Sequence, residues 1–274
     1  MQDSTPAFTP ATNREALSQA WRFARTRYWR SLPTFGATFL VLIVLVILQK
    51  LIAPDALVTH PVQGSFPPPH PKDFVANGLL AFFEGWLMIG VNRSFWRGLS
   101  ANDFRTANLL WGAKSPGLWP LPVVSAGVAV LYFSGLFAFH GRPGSMLLLL
   151  FLMLSASVVL GYAYALAGRE GLPAVPALRL ALGVFERGRR RLIGLYFQAM
   201  AWSVVGAIGL GVFALPLIFA ARPPIEHPLG VVIGAVALIL ITLALIPLMF
   251  LYLIAVNLIG AGVLMKDSAA PVAS

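Results

Sequence analysis

Glu84 stands near the middle of an apolar run, about Phe74 to Val91, where an acidic side chain in hydrocarbon costs on the order of 3 kcal/mol. Such a residue needs a proton or a partner. Asn77 on the same run, Gln198 in a later one and Asn257 toward the end of the last are polar side chains in comparable surroundings, and Trp86, Trp202, Tyr162 and Tyr164 add donors. The set has two chemical meanings. It is either a protonatable site or substrate contact lining a polar cavity, or a protonated carboxyl that holds helices together by hydrogen bonding.

Other residue types offer less. The four histidines, His60, His70, His140 and His227, lie between apolar runs, three of them directly before a proline, and none forms the i, i+4 pair that presents two imidazoles on one helix face. No metal site is expected. Glu186-Arg187-Gly188-Arg189-Arg190-Arg191 is a dense basic stretch just before an apolar run. Arg187, Arg189, Arg190 and Arg191 are therefore candidates for anionic lipid headgroups, each near-surface base contributing about 1 kcal/mol there; the alternative is that they only set topology. The chain has no cysteine and no Walker A, HExxH or GxSxG motif, and no carboxylates paired at catalytic spacing. It is expected not to be an enzyme and to need no cofactor.

The elements that position these residues follow from hydropathy. Of 274 residues 58% are apolar and 11% charged, a mixture unsuited to a water-facing surface, and apolar runs of about 20 residues, enough to span hydrocarbon, recur along the chain. The fold class expected is all-α: a polytopic transmembrane bundle of about six spans with amphipathic cytoplasmic helices. The spans predicted are about Phe35–Ile52, Phe74–Val91, Leu121–Phe139, Met146–Leu166, Leu192–Ala221 and Val231–Met265, the last one long helix kinked at Pro247. Thr12 and Glu15 have capping-box spacing and open a basic amphipathic helix with Leu17, Trp21, Ala24 and Tyr28 on one stripe. Ser100 and Asp103 repeat that spacing before a short surface helix with Phe104, Leu109 and Trp111, and Ala177 to Arg191 forms a second basic amphipathic segment. Ala16–Leu32 and Ala177–Ile193 resemble each other, through duplication or common physics. Gly230 and Gly234 have GxxxG spacing, and Gly206, Gly209 and Gly211 thin the fifth span. Trp21, Tyr28, Trp29, Trp96, Trp111 and Trp119 are expected in the inner interfacial belt.

The polar residues before the first run argue against a cleaved signal peptide. The prolines between Ala53 and Asp73 mark an outer loop. With the N-terminus inside and about six crossings, Lys50, Lys72, Arg142 and Arg222 alone among 20 lysines and arginines fall outside, which satisfies the positive-inside rule. Both termini are then cytoplasmic. Residues 1–31 make a tail and amphipathic helix, 32–266 the membrane domain and 267–274 a second tail. The net charge of +10 points to anionic headgroups as partners, not nucleic acid, because the basic residues sit beside apolar runs.

The basic entry helix around Trp21 to Arg30, the Arg97-Gly98-Leu99-Ser100 and Asp103-Phe104 stretch, and Ala177 to Arg191 followed by Gly206 to Pro216 occur in an order that resembles the YciC-like bacterial multi-pass inner-membrane proteins, a family with a domain of unknown function. The long Pro-rich outer loop and the C-terminal tail depart from that pattern. The resemblance implies fold and location but no chemistry. A non-enzymatic, envelope-related role is expected, with the alternative of a permease subunit working with a separate ATPase.

Overall fold

The computed structural model describes residues 12–53, 70–139, 142–186, 189–220 and 228–269. The Pro-rich loop, His60, His140, His227, Arg187, Arg222 and both terminal tails beyond these limits lie outside them. Thr12 opens the first helix as its spacing predicts: its hydroxyl accepts from the Glu15 N–H and the Glu15 carboxylate accepts from the Thr12 N–H, both at 3.2 Å. The helix, α1 (Asn13–Ile52), runs for 40 residues through Pro33, so the basic amphipathic segment and the first span are one rod. It is about 60 Å long at 1.5 Å per residue.

The next helix, α2 (Pro71–Ala101), begins before the predicted boundary and ends well after it. Pro71 suits the first turn, where a missing N–H costs nothing, and Asp73 accepts from the His70 N–H at 2.8 Å. His70 is therefore a helix cap. Ser100 does not cap anything, contrary to expectation: it lies inside α2 and its hydroxyl donates to the Trp96 carbonyl at 2.8 Å. Asn102 ends the helix in the left-handed region, φ 57°, a conformation asparagine tolerates. The surface segment that follows is a 3-10 turn (Thr106–Leu110) leading into α3 (Trp111–Lys114). Phe104 precedes it and packs its ring on Gly98.

Helices α4 (Pro120–Ala138) and α5 (Pro143–Glu170) form the predicted hairpin. Gly171, φ 69°, terminates α5. The expected amphipathic segment is α6 (Ala174–Leu182), which gives way to a 3-10 turn at Gly183–Phe185; α7 (Arg191–Ala220) then starts afresh, and α8 (Pro228–Ala269) closes the chain. Residues 16–32 are thus unbroken helix whereas 177–193 are interrupted, so the similarity of the two stretches does not extend to their structure. No described residue is in a strand. Five helical segments, Asn13–Ile52, Pro71–Ala101, Pro116–Ala138, Pro143–Glu170 and Val232–Lys266, are long and apolar enough to cross a membrane, and the protein is an all-α, multi-pass membrane bundle.

Helix α2 is the hub, touching α1, α4, α5, the Thr106–Lys114 segment and α8. Packing is uneven along the bundle axis. Phe95, Leu121, Tyr162, Leu166, Leu192, Leu195, Leu258 and Ile259 are fully buried, and all belong to the end that carries the 102–119 and 171–190 connections. At the other end Phe39 to Ile52, Leu147 to Leu152 and Val232 to Ile241 expose most of their large apolar side chains. In water an apolar surface that extensive would drive association; in lipid it is solvated.

Small residues make the tight end possible. Ala16, Ala20 and Ala24, one turn apart, are buried on α1, and Ala174, Ala177 and Ala181 are buried on α6. The expected apolar stripe of α1 is thereby divided: its alanine face enters the core, while Trp21 is 41% exposed. Gly206, Gly209, Gly211 and Gly230 lie outside the residues whose surroundings are described.

Candidate functional site

The polar residues singled out from sequence do not converge. Asn77 is at the open end of α2: its carbonyl accepts from the Gln49 amide of α1 at 3.0 Å and its amide donates to the Asp73 carbonyl at 2.7 Å. Glu84 is seven residues on, about 10 Å along the helix, half-buried and without a hydrogen bond or ion pair among the described residues. Its neighbour Gly85 meets the Tyr164 hydroxyl, with Pro122 alongside. Gln198 is exposed on α7. Asn257 lies on α8 near Gly161, where Tyr196 of α7 also packs. These four stand apart from one another: Asn77, offered as a partner for Glu84, bonds instead to Gln49 of α1 and to its own helix backbone.

The basic cluster is divided as well. Arg189 pairs with Glu186 at 3.2 Å and its guanidinium lies against Gly183. Arg190 and Arg191 are exposed. Their carbonyls serve the fold, that of Arg190 accepting from the Ile193 and Gly194 N–H groups and that of Arg191 from the Asn13 side-chain amide at 2.9 Å. The Arg190 side chain is exposed at the surface of this end.

The densest polar construction lies elsewhere, at the tightly packed end, and sequence reasoning missed it. Arg169, in the last turn of α5, has a side chain 15% exposed. It contacts Glu170 at 2.7 Å, stacks on the Trp96 ring of α2 at 4.2 Å and donates to the Leu258 carbonyl of α8 at 2.9 Å. A helical carbonyl is ordinarily screened by the residue four positions later; here that residue is Gly262, and a Cβ on it would collide with the Arg169 guanidinium. Glycine is what uncovers the acceptor. Two residues earlier, Gly260 makes room for the Tyr162 ring.

Arg93 completes the construction from α2. Its guanidinium donates to the Gly168 and Arg169 carbonyls at 3.3 Å, two of the acceptors that the end of α5 leaves unpaired, and it stacks on Trp111 at 4.9 Å. Trp96 and Trp111, expected as interfacial belt residues, therefore serve as platforms for two arginines. Gly168 lies against the Asn92 and Arg93 backbone, and Gly90 against the Leu109 carbonyl. Arg169 thus ties α5 to α2 through Trp96 and to α8 through the Leu258 carbonyl, with Glu170 balancing its charge, and the arrangement braces the three helices. The pair Gly168 and Gly171 flanking Arg169-Glu170, with Gly260 and Gly262 in an otherwise apolar span, was the available signal.

Among the described residues no group of three or more His, Asp or Glu is placed to hold a metal ion. A crevice of about 450 Å³ opens between α1, α7 and α8, lined almost entirely by apolar atoms. No family model matches the chain, and comparison with curated proteins and with solved structures returns no match.

Proposed function

We propose that the chain is a non-enzymatic bacterial inner-membrane protein of the YciC-like kind, crossing about six times with both termini cytoplasmic, that assists envelope processes through its tightly packed cytoplasmic end. The fifth crossing in chain order, beyond the five helices named above, is α7, 30 residues in which Arg191 is the one charged residue. The observation that carries the reading is the union of packing and charge: the buried core, the arginine braces and the two surface connections all occupy the same end. Basic residues remain on the cytoplasmic side during insertion, which orients that end inward. Its exposed arginines face anionic headgroups, and a fixed surface built from α3 and α6 faces the cytoplasm.

The test is deletion and complementation. Cells lacking the protein, scored for envelope defects such as detergent sensitivity, are rescued by the wild type and equally by Glu84→Gln. Loss of rescue with Glu84→Gln, in a variant that still accumulates and melts normally, overturns the non-enzymatic reading in favour of proton-dependent chemistry at Glu84.

One observation favours a second reading, a permease subunit of an ATP-driven transporter. The Thr106–Lys114 segment is seated on α2 through Gly90 and Leu109, and through Arg93 and Trp111, so force applied to it by a separate ATPase passes directly to the spans. Affinity purification in mild detergent decides between them: a stoichiometric nucleotide-binding subunit supports the permease, and a chain that purifies alone opposes it.

A further inference from the structure

The crevice between α1, α7 and α8 has features of a specific lipid site. Leu17, Ser18 and Trp21 of α1, Trp202 of α7, and Met249 and Tyr252 of α8 line it. Its volume of about 450 Å³ falls within the roughly 300–1,000 Å³ of ordinary small-molecule pockets, and its lining is the apolar kind that holds hydrocarbon. Trp202 is 60% exposed and Trp21 41%, although both rings border a cavity they could fill.

Charge surrounds this apolar opening on one side. Helical spacing puts Arg14 one turn before Ser18, and Arg25 one turn after Trp21, on the face of α1 that lines the crevice, with Arg22 at its edge. All three are exposed and make no ion pair among the described residues. A cationic rim over a hydrocarbon-sized slot matches an amphiphile with a negative head. The aromatic rings at the opening belong where headgroup and acyl chain meet.

We propose that the crevice retains one anionic phospholipid, an acyl chain lying between α1, α7 and α8 and the phosphate bracketed by Arg14, Arg22 and Arg25. Its assignment to the inner leaflet rests on the orientation proposed above; its existence does not. Near-surface guanidinium groups, three together, raise the local level of anionic lipid by on the order of tenfold or more, whereas annular lipid around the bundle exchanges without such preference.

The experiment uses the full chain in zwitterionic nanodiscs with a small fraction of brominated phosphatidylglycerol or, in parallel, brominated phosphatidylcholine, and reads tryptophan quenching. Subtracting a Trp21→Phe/Trp202→Phe variant isolates the two reporters in the crevice. Phosphatidylglycerol is expected to reach half-quenching at about one-tenth or less of the fraction needed for phosphatidylcholine, and raising salt to about 0.5 M is expected to narrow the gap by screening. The Arg14→Gln/Arg22→Gln/Arg25→Gln variant is expected to equalise the two lipids. Equal quenching by both in the wild type overturns the proposal, and this comparison requires no variant to fold. Failure of both lipids to quench Trp21 and Trp202 also overturns it, because another part of the protein or a second copy then fills the crevice.

Discussion

Arg169 joins three helices through one side chain, and the chemistry that permits it is divided among distant residues. A buried guanidinium without partners would be strongly destabilising; Glu170, Trp96 and the Leu258 carbonyl together supply charge, a π-face and an acceptor. Replacement by methionine keeps the volume and loses these interactions. Arg169→Met is expected to lower stability by about 2 kcal/mol, the scale of a charged hydrogen bond with a stacking contribution, read as an earlier fluorescence melt in detergent. Gly262→Val should do the same without touching Arg169, since the new side chain occupies the guanidinium's place. An unchanged melt for both would mean that the brace carries no load. Glu84 differs in kind: it has no bonded partner among the described residues, so Glu84→Gln is expected to leave the melt unchanged or slightly later, and a clear drop would reveal a charge-dependent contact.

At the scale of the element, α1 shows how a stripe of small residues sets helix position. Ala20 is fully buried between two other buried alanines, and enlarging a close-packed contact costs about 1–3 kcal/mol. Ala20→Leu is expected to destabilise by that amount, whereas Trp29→Ala, at a residue 79% exposed, should change detergent stability little; equal effects would contradict the close packing of the alanine face of α1. Gly90→Val should lift the Thr106–Lys114 segment from α2, seen as faster hydrogen exchange in that segment, and slow exchange retained there would deny the seating. Elements of this kind were largely legible in the sequence. Apolar runs fixed six long helices, and Thr12 with Glu15 fixed the start of α1, because both are local signals. The unexpected extension of α2 through Ser100 came from contacts no local pattern encodes: Ser94 donates to the Arg105 carbonyl, Phe104 folds onto Gly98, and Arg27 of α1 reaches Asn102. The site was less legible still. Glu84 stood out by its cost in lipid, yet Arg169 is at a span end, where an arginine is ordinary, and its partner is a backbone carbonyl revealed by a glycine 93 positions away in the chain.

The whole molecule is tight at one end and open at the other. Its packed end holds the buried core and most of the described arginines; its open end presents leucine, isoleucine, valine and phenylalanine outward. That gradient is a stability map as well as a topology. Amides near Tyr162, Leu195 and Leu258 should exchange most slowly and those near Leu51, Leu147 and Val232, exposed at the open end, fastest, since opening free energy follows buried contact density. The same gradient leaves room at the open end for helices to shift against lipid while the arginine braces hold the other end together.

Orientation of the packed end toward the cytoplasm is the claim on which location, headgroup contact and partner surface all depend. The chain contains no cysteine, so single cysteines report without background. Arg142→Cys, Ala113→Cys and Val175→Cys, each at an exposed position, are treated in intact spheroplasts with a membrane-impermeant maleimide. Labelling of Arg142→Cys alone, with Ala113→Cys and Val175→Cys reacting only after the membrane is opened, is the predicted result; labelling of either of those two in intact spheroplasts would contradict it.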